Sequence, residues 1–264
     1  MASEPEEAGE AAPRATDGIG CIDLLGVRVH AVDMEGALDA VRAFVSSGRP
    51  HFVVTADSSG LVLAQRDAQF RQIINSADLV TPDSFGILLG ARKLGTPLPA
   101  RVSGVDLAYR ICQMAAEEGF SVFLLGAEPG VAEAAARKLQ EAIPGLSVAG
   151  TYHGYFTPDE EPAVIARVRE SGAKALLVAM GIPRQEKWIH AHLADLGVSV
   201  AIGVGGTLDV FSGRIKRAPL WMRRHGLEWV YRLARDPSKI SKVASLPRFV
   251  WLVLKTKTTG SRAS

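Results

Sequence analysis

The chain has 264 residues, of which 47% are hydrophobic and 22% are charged, so one large globular core with appendages is expected and a disordered chain is excluded. The two cysteines, Cys21 and Cys112, form no CxxC motif, which argues against a zinc site and a disulfide framework. The net charge of +2 hides an asymmetry, because from Arg214 onward thirteen Lys or Arg residues accompany two acidic ones, leaving −9 on the first 213 residues.

Secondary-structure patterns divide the chain into three parts in order. Residues 1–18 are acidic and lack an apolar stretch, which predicts a disordered tail rather than a signal or transit peptide. From residue 19 to 213, short apolar runs alternate with segments of helical spacing, the pattern of an α/β, Rossmann-like fold with a mostly parallel sheet and helices on both faces. The predicted strands are 51–55, 77–82, 121–126, 146–151, 175–180 and 198–206. The predicted helices are 34–47, 58–75, 105–118, 131–142, 162–171 and 185–196.

The last part, residues 214–264, is predicted to be a basic helical appendage close to a membrane. Its longest apolar run, Phe249 to Leu254, is much shorter than the roughly 20 residues of a membrane-spanning helix. The net charge of +11 points to an anionic partner, either a phosphate-rich substrate, nucleic acid or an anionic lipid surface, although it also fits a solvated helix face. Nucleic acid is disfavoured because no recognition module accompanies the charge.

Polar residues and glycines follow several predicted strands, where ligands bind in folds of this class. Asp83 follows the strand LVTP and would act either as a base or as the N-cap of the next helix. Gly126, which opens a turn before a helix, would point backbone amides at a diphosphate, and Gly205 and Gly206 form a similar turn. Neither GxGxxG nor the Walker pattern is present, which weakens dinucleotide and ATPase interpretations.

A diphosphate at this edge of the sheet would be bound without metal. The chain contains no Asp-x-Asp pair, so neither a metal nor another cofactor is expected, and Arg or Lys would supply the positive charge. Arg101 is one candidate, and the alternative for it is a surface ion pair. Gln185 and Glu186 begin a helix after a strand and would either face the cleft or cap the turn.

Eight ordered blocks of the chain together resemble the WecG/TagA/CpsF family of glycosyltransferases, from about Asp23 to Lys242. The blocks are VTADS (54–58), ADLVTPDSFG (77–86), PARVSGVDL (99–107), VFLLGAEPGVAE (122–133), GTYHGYF (150–156), MGIPRQE (180–186), GVGGTLDVFSGRIKRAP (203–219) and GLEWVYRLARDP (226–237). The resemblance implies an inverting transfer of an N-acetylmannosamine-like sugar from a UDP-sugar donor to a polyprenyl-diphosphate-linked sugar acceptor. It also implies a role in the synthesis of teichoic acid or another surface polysaccharide, at the inner face of the cell membrane.

The resemblance also assigns roles to particular residues. It implies that Asp83 is the general base and that Arg232 binds substrate from the appendage, with Lys239 and Lys242 where relatives tend to have arginine. It places pocket residues at Thr55, Asp57, Arg101 and Gln185. The chain departs from the family pattern at two positions, with Asp57 where Asn is usual and Ser84 where Gly is usual.

Competing hypotheses remain open from the sequence. The two departures motivate a non-catalytic nucleotide-sugar binding protein on the same fold. A nucleotide-dependent oxidoreductase is disfavoured by the missing glycine fingerprint. The oligomeric state is open, a homo-oligomer included, and an anionic membrane surface is expected as a further partner.

Overall fold

The computed structural model describes residues 16, 18–225, 227–228, 230–231 and 240–260. Most of the predicted tail over residues 1–18 therefore lies outside the description. The strands are β1 Cys21–Leu24, β2 Val27–His30, β3 His51–Ala56, β4 Leu79–Pro82, β5 Ser121–Gly126, β6 Ser147–Tyr152, β7 Ala175–Ala179 and β8 Val200–Gly203. The helices are α1 Met34–Ser46, α2 Ser58–Ala64, α3 Ala68–Ser76, α4 Phe85–Leu94, α5 Gly104–Glu118, α6 Val131–Ala142, α7 Glu161–Glu170, α8 Arg184–His192, α9 Thr207–Phe211, α10 Leu220–Arg224 and α11 Ile240–Gly260.

The main sheet confirms the predicted fold class. Among the described residues it has six strands in the order β4-β3-β8-β7-β5-β6, and every neighbouring pair is parallel. Strands β3, β7 and β8 lie inside the sheet and are buried along their whole length, which explains their largely apolar sequences. The edge strand β6 is partly exposed.

Alternate residues of the strands enter two separate hydrophobic cores on opposite faces of the sheet. Val53 and Ile202 belong to the core that contains α1, α5 and α6. Phe52 and Ala201 belong to the core that contains α3 and α8. The protein is therefore a sheet with helices on both faces, which leaves the carboxyl ends of the strands open for a ligand.

Two local features differ from the sequence prediction. The helix predicted over 58–75 is two helices, because Asp67 accepts a hydrogen bond from the Phe70 amide and so caps a new helix after a short turn. An antiparallel hairpin, β1–β2, precedes α1 and was not predicted. Its turn is held by the Asp23 carboxylate, which accepts a hydrogen bond from the Gly26 amide.

The basic C-terminal segment contributes to the second core through α11. Phe249 and Val253 are buried in the core cluster that also contains Leu61 and Ile87, from α2 and α4. No helix in the described part of the chain is long and apolar enough to cross a membrane. The division into a core ending at 213 and an appendage starting at 214 remains a prediction.

Candidate active site

The polar residues that follow β3, β4 and β8 come together at one edge of the sheet. These three strands are neighbours, with Ala56 beside Pro82 and Val54 beside Gly203. Asp57 and Asp83 each follow the end of their strand, and the loop 204–206 follows β8. Parallel strands put their carboxyl ends at the same edge, so the predicted cleft lies where ligands bind in this class of fold.

Ser84, and not Asp83, caps the helix that starts after β4. The Ser84 hydroxyl accepts a hydrogen bond from the Ile87 amide and lies 2.9 Å from the Ser58 hydroxyl at the start of α2. The Asp83 amide donates to the Ala56 carbonyl (2.8 Å), and the carboxylate side chain is 27% exposed. The capping alternative for Asp83 is therefore wrong, and its carboxylate sits at the cleft beside Arg101.

Asp57 is the N-cap of α2. Its Oδ1 accepts hydrogen bonds from the Gly60 amide (2.8 Å) and the Ser59 hydroxyl (2.6 Å). An asparagine Oδ1 would accept the same two bonds. The departure from Asn at this position thus preserves the local structure and changes only the charge at the cleft.

Thr55 and Gln185 are buried, and their side chains bond to the backbone of β8 and of the loops that follow β7 and β8. The Thr55 hydroxyl donates to the Gly203 carbonyl (2.8 Å), joining β3 to β8. The Gln185 side chain, 2% exposed, accepts from the amides of Gly181 (3.1 Å) and Gly205 (3.0 Å) and so links the loops after β7 and β8. Their predicted contact with substrate remains a prediction.

The predicted glycine positions differ in their surroundings. A Cβ on Gly126 would lie 2.4 Å from the Ala179 carbonyl oxygen, so glycine is required for the close approach of β5 and β7. The next amide, that of Ala127, already donates to this carbonyl (2.8 Å) and is not turned toward a ligand. Gly205, in contrast, faces open space, and Gly206 starts α9.

Arg101 binds the Asp83 segment to the C-terminal part of the chain. Its Nε donates to the Asp83 carbonyl oxygen, and its Nη2 lies 3.1 Å from Glu228 Oε2 and 3.6 Å from Asp83 Oδ1. The guanidinium also lies over the ring of Phe85, 5.4 Å from its centroid. Arg101 is thus a fixed cation beside the candidate base, and the surface ion-pair alternative does not describe it.

A second arginine, Arg217, forms a bidentate ion pair with Asp106 at the start of α5. Its Nη1 and Nη2 bond to the two carboxylate oxygens at 2.5 and 2.7 Å, and Nη2 also donates to the Ser103 hydroxyl (3.2 Å). Burial alone would lower the pKa of Arg217, but the hydrogen bonds and charge of Asp106 outweigh it, and the pKa is raised. Burial alone would raise the pKa of Asp106, but Arg217 outweighs it and the pKa is lowered. Both groups therefore stay charged.

The sequence analysis found only part of this ionic cluster, which consists of Arg101, Arg217, Asp106 and Glu228. Only Arg101 was predicted as a site residue, although the other three lie inside the blocks that carry the family resemblance. Arg223 Nη1 extends the cluster and lies 3.9 Å from Asp106 Oδ1. Carboxylates and guanidiniums alternate along this cluster.

For three residues of the C-terminal segment that were predicted to bind substrate, the structure describes no side chain. Arg232 and Lys239 lie outside the described residues, and Lys242 lies in α11 with its side chain outside the description. The described His, Cys, Asp and Glu side chains form no group of three that could hold a metal ion.

The sequence matches known glycosyltransferases over most of its length. Residues 22–263 match the glycosyl transferase WecG/TagA/CpsF family. Three relatives, from Staphylococcus aureus strains MW2, NCTC 8325 and MRSA252, are each N-acetylglucosaminyldiphosphoundecaprenol N-acetyl-beta-D-mannosaminyltransferases. Each is 33% identical over 238 residues, covering 89% of this chain and 93% of the relative. The family match and the relatives confirm the predicted resemblance, and the chain belongs to the WecG/TagA/CpsF family of glycosyl transferases.

Proposed function

We propose that this chain transfers an N-acetylmannosamine-like sugar from a UDP-sugar to a polyprenyl-diphosphate-linked sugar, with inversion at the anomeric carbon. The names of the relatives support the class of sugar and acceptor. The observation that carries the proposal is the Asp83 carboxylate, which lies at the end of β4 beside Arg101 while Ser84 caps the helix. The product would serve cell-wall or surface polysaccharide synthesis, of which teichoic acid is one case.

Asp83 would act as the general base. The acceptor hydroxyl oxygen forms a bond to the anomeric carbon as the bond from that carbon to the UDP oxygen breaks. The hydroxyl proton passes to the Asp83 carboxylate, and UDP leaves with the bonding electrons. Attack from the face opposite the leaving group gives the inverted product.

Arginines would stabilise the negative charge that develops on the leaving UDP. Arg101 is held beside Asp83, and Arg217 lies next in the same cluster. Guanidinium groups suit diphosphate oxygens because they donate paired, charge-assisted hydrogen bonds. Arg232, Lys239 and Lys242 would add cations from the C-terminal segment, and the open space at Gly205 would give room for the donor.

The C-terminal helix α11 would attach the enzyme to the inner face of the membrane, where the lipid-linked acceptor lies. One side of the helix buries Phe249 and Val253 in the protein core. The exposed side carries Val250, Trp251 and Leu254, which are 49%, 56% and 47% exposed. Apolar side chains next to lysines and arginines are typical of helices that lie in the membrane interface.

Trp221 and Leu220 on α10 are also exposed, at 59% and 61%, and would extend the same attachment surface. A homo-oligomer would use such apolar surface as well, so crosslinking in the presence and absence of vesicles separates the two uses.

The non-catalytic alternative gains no support from Asp57 and Ser84, because both have capping roles.

A donor screen tests the proposal directly. The purified protein is incubated with a short-chain polyprenyl-diphosphate N-acetylglucosamine and, separately, UDP-N-acetylmannosamine, UDP-N-acetylglucosamine and UDP-glucose. Mass spectrometry reports transfer, and NMR of the product reports the anomeric configuration. Binding of a UDP-sugar without turnover would favour the non-catalytic alternative, and a retained configuration would contradict the single displacement.

A further inference from the structure

Glu228 is an acidic residue that the C-terminal segment places against the active-site arginines. This segment, from Arg214 onward, has thirteen basic and two acidic residues, so a carboxylate at the cleft is unexpected from its composition. The Glu228 side chain is 10% exposed, and its Oε2 lies 3.1 Å from Arg101 Nη2. Its other oxygen, Oε1, lies 4.0 Å from Arg217 Nε.

The same Arg101 nitrogen lies between two carboxylates. It is 3.1 Å from Glu228 but 3.6 Å from Asp83 Oδ1, so the shorter pairing is with the C-terminal segment. A guanidinium that closed fully onto Asp83 would form a paired, charge-assisted contact with it. That contact would occupy the oxygen that has to accept the proton of the acceptor hydroxyl.

We propose that Glu228 is a positioning residue that draws Arg101 Nη2 to itself and so keeps this nitrogen from closing onto Asp83 Oδ1, the carboxylate oxygen of the candidate base beside it. The inference rests on the proposed glycosyl transfer, since it assigns Glu228 a part in that reaction. It also gives the C-terminal segment a role in positioning Arg101, beside the proposed membrane attachment and supply of cations.

A matched pair of variants separates this role from simple structural support. Glu228→Gln keeps the size and a hydrogen-bond acceptor but removes the charge that holds Arg101. Asp106→Asn removes a comparable charge from Arg217 in the same cluster, with no contact to Arg101 among the hydrogen bonds and ion pairs of the described residues. Glu228→Asp keeps the charge on a shorter side chain and serves as the conservative rescue.

The decisive measurements are kcat and KM, each determined separately, and the pH profile of kcat/KM. In Glu228→Gln, Arg101 turns to Asp83, so we expect kcat to fall about tenfold, which is less than the roughly 100-fold or greater effect of a whole general base because Asp83 itself is still present. The KM for the UDP-sugar should stay within about threefold, because the substitution removes no cation from the chain and leaves Arg217 paired with Asp106. Glu228→Asp should recover most of kcat.

The acidic limb of the profile should also move. The charged groups around Asp83 are Arg101 from the loop before α5, and Arg217 and Glu228 from the C-terminal segment, with Asp57 at the end of the neighbouring strand. An opposite charge that comes closer favours the ionised carboxylate. The limb of Glu228→Gln should therefore lie about one pH unit lower, and that of Asp106→Asn should move less, because Asp106 pairs with Arg217 and not with Arg101.

Thermal melts of all the variants check that they fold, and Glu228→Asp gives a smaller shift in the same direction if Glu228→Gln does not fold. An active wild type whose kcat and pH profile survive Glu228→Gln would overturn the inference alone. Equal losses in Glu228→Gln and Asp106→Asn without a shifted limb would also overturn it, because both would then be structural. A wild type inactive with every donor would overturn the proposed function and this inference together.

Discussion

Two substitutions on α11, Phe249→Ala and Trp251→Ala, should affect different properties although they lie two residues apart. The first should lower the stability of the fold, and the second should weaken membrane binding. Phe249 is 2% exposed, and Trp251 is 56% exposed. A Cβ added to Gly90 of α4 would lie 2.9 Å from Phe249 Cζ, so the phenylalanine ring fills the space that this glycine leaves. Truncating a well-packed, buried phenylalanine costs about 3–5 kcal/mol.

That cost is a large part of the roughly 5–15 kcal/mol that stabilises a typical folded domain. Phe249→Ala should therefore lower the urea midpoint measured by circular dichroism at 222 nm. Trp251→Ala should change the free energy of unfolding by no more than about 0.5 kcal/mol, as exposed substitutions usually do. It should instead weaken binding to phosphatidylglycerol vesicles in a sedimentation assay, because it removes apolar surface from the exposed side.

Equal destabilisation by the two variants would refute the orientation of α11 on the core. Undiminished vesicle binding by Trp251→Ala would leave the orientation intact but contradict the lipid-facing role of its exposed side. Val250→Ala, on the exposed side and 49% exposed, is the matched control. It removes less apolar area than the tryptophan and should have a smaller effect on vesicle binding.

Three further outcomes follow from the site and the charge distribution. Asp83→Asn should lower kcat by about 100-fold or more while calorimetric binding of the UDP-sugar stays nearly intact, since it removes basicity but not size; near wild-type turnover would exclude Asp83 as the base. Transfer should persist in excess EDTA, because the chain has no Asp-x-Asp pair and the Arg101 cation lies beside Asp83; loss of activity that Mg²⁺ or Mn²⁺ restores would reveal a metal site. Vesicle binding should require anionic lipid and weaken as salt rises, and binding to neutral vesicles in high salt would contradict this.

The sequence predicted the sheet well because buried parallel strands have a strong local signal. β7 and β8 are continuous apolar runs and β3 is largely apolar, and such runs can be recognised without knowledge of the partner strand. The hairpin of β1 and β2 has strands of only four residues, too short for alternation to stand out. The break between α2 and α3 depends on one capping residue, Asp67, inside a segment with a continuous helical period.

The position of the site was predictable, but its ionic contacts were not. Strand ends mark the cleft in any α/β fold, so Asp57 and Asp83 could be named from their places after apolar runs. Arg101 pairs with Glu228 over 127 positions, and Arg217 pairs with Asp106 over 111. No local pattern records pairings at such separations, because they depend on how the C-terminal segment docks on the core.

The two departures from the family pattern become compatible with catalysis once their capping roles are known. Asp57 caps α2 with a single oxygen, as Asn would, and a carboxylate at a helix N-terminus is favoured by the helix dipole. Ser84 has an extended backbone (φ −115°) that any residue adopts, so glycine is not needed there. Its hydroxyl also contacts Ser58 and thereby joins the starts of α2 and α4. Both residues thus fix helix starts next to the candidate base, and neither removes a group that the proposed displacement uses.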